Sequence, residues 1–138
     1  MSSSGRLVAW KGAFHTASSR PVAGFGFGTE DRVFVDRYYF FVGGRPENAY
    51  LGFYLQLGLL GLLGFVAVGV ALLPTLARLV RRGDHQERSL GVVFAASVLA
   101  GFATAATQSY PYSAGNVATL TFWVAVFGLA TARTGSHD

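Results

Sequence analysis

Three long apolar blocks dominate the second half of the chain. They cover residues 59–80, 89–109 and 117–132. At ~1.5 Å of rise per residue, about 20 helical residues cross the ~30 Å hydrocarbon core of a bilayer, so the first two blocks are long enough. The third block is adequate if Asn116 and Arg133 lie in the two membrane interfaces. The pattern predicts an all-α membrane protein with three transmembrane helices.

The connections between these blocks predict an orientation. Residues 81–88 and the neighbouring Arg78 form a short, Arg-rich connection, and such short loops stay in the cytoplasm. The link 110–116 then faces outward, and the tail 133–138 returns to the cytoplasm. By the same count, residues 1–58 form an extracytoplasmic loop region. This region also carries several basic residues. They do not contradict the orientation, because long segments cross the membrane largely regardless of their positive charge. Binding of an anionic ligand would be one reason for their presence.

The outer region predicts short helices and irregular segments. Residues 5–18 carry apolar side chains at helical spacing, which predicts a helix that lies on the membrane or packs on other helices. These apolar side chains are Leu7, Val8, Trp10, Ala13, Phe14 and Ala17. The segment "RVFVDRYYFFVGGRP" that ends at Pro46 alternates enough to be a short strand or an irregular lid, and the sequence leaves both open.

Three alternating glycines, Gly24, Gly26 and Gly28, interrupt the outer region in "SSRPVAGFGFGTED". Glycines at this density predict an irregular backbone. A nucleotide-binding loop is disfavoured, because no predicted strand precedes the glycines and no βαβ partner follows. A tight turn against a neighbouring backbone is the favoured interpretation. Backbone amides that hold an anion are the third possibility.

Glu47 and Asn48 begin the segment "ENAYLGFYLQLGLLG". Asn is a strong helix N-cap, and Glu near a helix N-terminus is favoured by the helix dipole. Capping therefore explains both residues. A chemical role at a membrane surface is the alternative.

Composition narrows the class of protein. Hydrophobic residues make up 51% of the 138 residues and charged residues 13%, about half the charged fraction of an ordinary soluble domain. The net charge is +4, but the cations lie between apolar blocks rather than over a packed domain, so no nucleic acid is expected as a partner. Cysteine is absent, and His15, His85 and His137 are far apart. No metal site and no cofactor are therefore expected.

The ordered set of motifs resembles the O-antigen ligase and polymerase family of bacterial membrane proteins. That family carries His followed by Asn, Ser or Gln, then nine residues and Gly-x-x-Gly in its outer loop. Here Asn48, the nine residues "AYLGFYLQL", Gly58 and Gly61 match in register. Upstream, "GRLVAWKGAF" and "RPVAGFGFGT" match in order and spacing, and the tail resembles "N…L.FW…G". The resemblance runs from Gly5 to about Ala132.

The resemblance implies transfer of a glycan from a polyprenyl-diphosphate carrier to an acceptor hydroxyl, at the outer face of the bacterial cytoplasmic membrane. Arg6 would stabilise the departing diphosphate, because a guanidinium binds phosphate oxygens and keeps its charge. Glu47 would act as general base, and Asn48 would orient the base or a sugar hydroxyl. Arg20 and Arg45 are additional substrate-binding candidates.

Two departures from the family pattern qualify the function. Glu47 stands where the ligases carry His, which favours a polymerase over a ligase. Family members also have ten or more membrane helices, so the chain is expected to be the C-terminal portion of such a protein. Its partners would then be membrane lipid and the remaining transmembrane helices or another chain. The alternative is a small non-catalytic membrane scaffold, or an inactive remnant of the family.

Overall fold

The computed structural model describes residues 3–37, 46–82, 85–113 and 116–131, and every regular element in them is helical. The prediction of an all-α protein is confirmed for this part of the chain. In chain order the helices are α1 (Ser3–Ala17), α2 (Glu30–Arg37), α3 (Ala49–Arg82), α4 (His85–Ala105) and α5 (Val117–Thr131), with a 3₁₀ turn at Tyr110–Tyr112 before α5. The stretch for which the sequence left a short strand or an irregular lid open is helical up to Arg37, in α2, and its residues 38–45 lie outside the described residues.

Two of the helices are long and apolar enough to cross a membrane, within Ala49–Arg78 and Arg88–Ala105. Only 17% and 28% of their most apolar windows are buried, whereas the core helix of a soluble protein is mostly buried. The third predicted span corresponds to α5, which has 15 residues and extends ~22 Å. Within the residues that the structure describes, two helices are therefore of spanning length, and the third predicted span is not confirmed.

The chain forms two compact units. The first contains Met1–Val66 with Ala105–Ser109, and the second contains Ala67–Thr104 with Tyr110–Asp138. The helix predicted over 5–18 is confirmed as α1 in the first unit, but its buried face is the one with small side chains. Ala9 and Ala13 pack with the fully buried Phe34 of α2, while Leu7, Val8 and Phe14 are more than half exposed. Small residues are favoured there because they allow close helix approach.

The second unit is closed at one end by the turn between α4 and α5. The Tyr110 hydroxyl donates to the Gly101 carbonyl (2.5 Å), and the Trp123 indole donates to the Pro111 carbonyl (2.8 Å). Phe122 packs directly over Gly101, where a Cβ would lie 2.3 Å from the ring. Each polar end of these aromatic side chains thus pairs with a backbone carbonyl.

Candidate functional site

Two side chains of α1 hold the turn that precedes α3. The Arg6 Nε atom lies 3.4 Å from Glu47 Oε2, and the Trp10 indole donates a 2.6 Å hydrogen bond to the Pro46 carbonyl. Residues four apart in a helix lie on one face, so Arg6 and Trp10 approach Pro46 and Glu47 together. Further along α1, the rings of Phe14 and Tyr54 lie 5.9 Å apart. Side chains of α1 therefore contact both the turn before α3 and the first turns of α3.

The Glu47 backbone is left-handed, with φ at 47°. For a residue with a Cβ this conformation costs roughly 1–2 kcal/mol, and such residues cluster at functional sites. It is held on one side by the Trp10 contact to Pro46. On the other side, the Asn48 Oδ1 atom accepts from the Leu51 amide at 3.1 Å. The predicted N-cap role of Asn48 is confirmed, and Glu47 lies one residue before the cap with its carboxylate against Arg6.

The Arg6–Glu47 pair is open to the surroundings. The two side chains are 45% and 44% exposed, and an ion pair with this exposure contributes about 0–1 kcal/mol. An incoming charged group can therefore displace either side chain from the ion pair at a small cost in free energy. The arrangement offers a cation for an anionic ligand and a carboxylate that can accept a proton, within one contact distance of each other.

A Gly-rich loop, residues 18–29, crosses α3 where that helix is broken at Gly58. The break has φ 65° and ψ −156°, so carbonyls before it and amides after it lack their helical partners. The loop supplies those partners through four backbone hydrogen bonds of 2.8–3.4 Å. They are Phe25 N to Leu55 O, Gly26 N to Gln56 O, Leu59 N to Pro21 O and Leu60 N to Val22 O.

Gly24 and Gly58 allow this crossing. A Cβ on Gly24 would lie 2.4 Å from the Gln56 carbonyl carbon, and a Cβ on Gly58 would lie 2.3 Å from the Val22 oxygen. Both residues have positive φ. The tight approach to a neighbouring backbone, predicted for the glycines, is therefore confirmed. The amides of Phe25 and Gly26 are occupied by α3, and α1 rather than a strand precedes the loop, so the loop does not have the form of a nucleotide-binding turn.

The other predicted motif glycines differ in how much space a side chain would have. Gly26 and Gly28 have positive φ, and a Cβ on Gly28 would meet nothing within 4 Å. Gly61 packs against the Leu57 side chain one turn earlier in α3. The Gly-x-x-Gly motif therefore combines one residue that breaks the helix with one that accommodates a neighbouring leucine.

A buried polar pair, which the sequence analysis did not single out, fixes the far end of the loop. Gln56 is 2% exposed and Glu30 is 4% exposed. The Gln56 Oε1 atom accepts from the Gly28 amide at 2.7 Å, and its Nε2 atom donates to Glu30 Oε2 at 3.4 Å. The signal in the sequence is that Gln56 is the only residue with a polar side chain between Leu55 and Leu73. Buried polar groups need such partners.

The remaining predicted site residues are Arg20 and Arg45. Arg20 is exposed on the loop, with its guanidinium 5.0 Å from the centroid of the Phe25 ring. Arg45 lies outside the described residues. Of the two substrate-binding candidates that the structure describes, Asn48 follows Glu47 directly, and Arg20 makes its contact with Phe25 instead. Among the described residues, no group of three or more His, Cys, Asp or Glu side chains could hold a metal ion.

Comparison with known proteins yields no relative: no protein-family model, no curated protein and no solved structure matches this chain.

Proposed function

We propose that the chain is part of a bacterial polysaccharide polymerase or ligase. In this proposal it transfers a glycan from a polyprenyl-diphosphate carrier to an acceptor hydroxyl, at the outer face of the cytoplasmic membrane. The observation that carries the proposal is the 3.4 Å contact between Arg6 and Glu47. The motif resemblance assigns these two residues to leaving group and base, and they are distant in the sequence yet adjacent in space.

The proposed chemistry uses both members of the pair. Glu47 accepts the proton of the acceptor hydroxyl as its oxygen attacks the anomeric carbon of the donor. The bond from that carbon to the diphosphate oxygen breaks, and its electron pair leaves with the diphosphate. Arg6 stabilises the growing negative charge on that oxygen. Because the ion pair is half exposed, the incoming diphosphate can replace Glu47 on Arg6 and leave the carboxylate free to act as base.

A membrane location supports the same proposal. The two helices of spanning length are mostly exposed along their most apolar windows, as expected for helices that face lipid. A polyprenyl chain dissolves in the same bilayer, so the enzyme and its carrier would meet in two dimensions. We further propose that this membrane is the bacterial cytoplasmic membrane and that the first unit faces its outer side.

A second candidate is a non-catalytic membrane scaffold in which Arg6 and Glu47 serve only as a structural ion pair. The observation that favours it is that each side chain contacts the other, while Asn48 caps α3. The two candidates differ in one respect. A structural ion pair keeps its contact when the positive and negative side chains exchange positions. A general base and the cation that stabilises the leaving diphosphate lose their roles when they exchange positions.

The test is polymer formation in the native host membrane, with all other components of the pathway present. We expect Arg6→Ala and Glu47→Gln each to reduce polymer at least ~100-fold, the range of general acid–base contributions, without lowering the amount of protein. Arg32→Ala, which removes another exposed arginine, is the matched control and should have no effect.

The exchanged pair Arg6→Glu with Glu47→Arg separates the two candidates. Catalysis predicts that the exchanged protein is stable and inactive. Restored activity would show that the pair is structural. Normal polymer from Glu47→Gln alone would remove Glu47 as the base.

A further inference from the structure

The environment of α3 changes at Gly58. None of residues 49–57 is exposed, because the first unit covers them. Immediately after the break, large apolar side chains point outward: Leu59, Leu60, Leu63 and Val66 are 41–66% exposed. Protein therefore covers α3 before Gly58, whereas the exposed apolar side chains after Gly58 are suited to contact with lipid.

The length of the exposed segment matches a membrane. The about 20 residues from Leu59 to Arg78 extend ~30 Å as a helix, which is the thickness of the hydrocarbon core. Arg78 and the exposed Arg81 mark its far end. If this segment crosses the bilayer, its first residues Leu59 and Leu60 lie at the hydrocarbon boundary.

The Gly-rich loop is attached to α3 at that level. The Leu59 and Leu60 amides donate to the Pro21 and Val22 carbonyls. Val22 is 60% exposed beside Leu60, which is 66% exposed, and Phe27 further along the loop is 64% exposed. The outward apolar surface of α3 therefore continues onto the loop.

The loop also carries a cation. Arg20 is exposed and lies over the Phe25 ring. Arginine beside aromatic and apolar side chains is typical of elements that bind at a lipid headgroup layer. Irregular backbone near hydrocarbon requires internal partners for its polar groups. The loop has them, because α3 binds its Phe25 and Gly26 amides and its Pro21 and Val22 carbonyls.

We propose that the loop of residues 18–29 is a membrane-interfacial element that binds the headgroup layer of anionic phospholipids. Val22 and Phe27 insert at the edge of the hydrocarbon, and Arg20 binds lipid phosphate. This inference rests on the membrane placement in the proposed function, and it is independent of glycan transfer.

The depth of the loop can be measured directly, because the chain contains no cysteine. Single variants Val22→Cys, Phe27→Cys, Leu63→Cys and Arg32→Cys would each carry a nitroxide spin label in nanodiscs of equal parts phosphatidylcholine and phosphatidylglycerol. The readout is the accessibility of each label to oxygen, which is enriched in lipid, and to a nickel chelate, which stays in water.

The expected order of depth is Leu63 in the hydrocarbon, Val22 and Phe27 at its boundary, and Arg32 in water. Water-exposed labels at Val22 and Phe27 with a lipid-exposed label at Leu63 would overturn the interfacial loop and leave the membrane placement intact. A water-exposed label at Leu63 would overturn the membrane placement as well.

The headgroup contact is tested by Arg20→Gln. One basic residue near an anionic membrane surface contributes a several-fold preference. We therefore expect the preference for spin-labelled phosphatidylglycerol over phosphatidylcholine at the protein surface to fall about fivefold. Arg32→Gln is the control and should leave this preference unchanged. An unchanged preference in Arg20→Gln, or an equal fall in both variants, would overturn the assignment of Arg20.

Discussion

The crossing of the Gly-rich loop over the broken helix makes Gly58→Ala the most informative single substitution. Gly58 has φ 65°, and a Cβ there would lie 2.3 Å from the Val22 oxygen and 2.7 Å from the Ala23 nitrogen. Both atoms belong to backbone, so no side-chain rotation can relieve the overlap. The loop must move away by ~1 Å or more to reach ordinary contact distances of about 3.5 Å.

Two effects set the expected loss of stability. The Gly58 backbone, with φ 65° and ψ −156°, lies in a region essentially restricted to glycine, and a residue with a Cβ is destabilised there by roughly 1–3 kcal/mol. Movement of the loop also removes the acceptors of the Leu59 and Leu60 amides, and a buried donor without a partner costs about 1–3 kcal/mol. With two such amides, these effects sum to about 3–9 kcal/mol, a large part of the 5–15 kcal/mol that stabilises a typical domain.

The assay is chemical unfolding in detergent micelles, followed by circular dichroism, together with hydrogen exchange at the Phe25 and Gly26 amides. Gly64→Ala is the matched control in the same helix, because a Cβ there meets nothing within 4 Å. It should be neutral or stabilising by up to ~1 kcal/mol, since Ala is the better helix former. If Gly58→Ala were as stable as Gly64→Ala and kept both amides protected, the crossing of loop and helix would be refuted.

Two further substitutions test other parts of the structure. Gln56→Leu removes the acceptor of the Gly28 amide and a donor to the buried Glu30. We therefore expect it to lower the free energy of unfolding by about 1–3 kcal/mol. Faster hydrogen exchange of the Gly28 amide would show that the lost hydrogen bond is the cause. Burial raises the pKa of Tyr110 above 10.0, and the hydrogen bond from Thr104 opposes this shift. Because the folded-state pKa is the higher one, the tyrosine contributes stability below pH 10 that is lost as the pH rises through the raised pKa. Tyrosinate absorbance during an alkaline titration should show a late-ionising component that is absent in Tyr110→Phe. An identical titration curve for the two proteins would contradict the burial of Tyr110.

The sequence predicted the long helices well, because a run of apolar residues of spanning length has few other structures available. Asn48 was equally clear, since its side chain needs only the amide of Leu51 to act as a cap. The region around Phe34 was less clear. Its β-branched neighbours suit a strand locally, but Phe34 is buried against Ala9 and Ala13 of α1, and this tertiary contact favours the helix.

The buried surface of α1 was not predictable from apolar periodicity. Within the predicted apolar stripe, the large side chains Leu7, Val8 and Phe14 are exposed, whereas the small residues Ala13 and Ala17 are buried. Close packing of helices selects these small residues. In a protein whose surroundings are themselves apolar, the largest hydrophobic side chains need not point inward, so periodicity locates the helix without identifying its buried face.

The proximity of Arg6 and Glu47 depends on a register that only the fold supplies. The loop that follows α1 is fixed to α3 at Leu59 by the Pro21 carbonyl, and α1 itself contacts Glu47 and Tyr54 through Arg6 and Phe14. Sliding α1 by one helical turn would displace Arg6 by ~5.4 Å, which exceeds the 3.4 Å that now separates it from Glu47. The glycine crossing is thus the anchor that sets the spacing of the pair. Under the proposed function, Gly58→Ala should consequently lower polymer formation in the host membrane as well as the free energy of unfolding, although Gly58 contacts neither member of the pair.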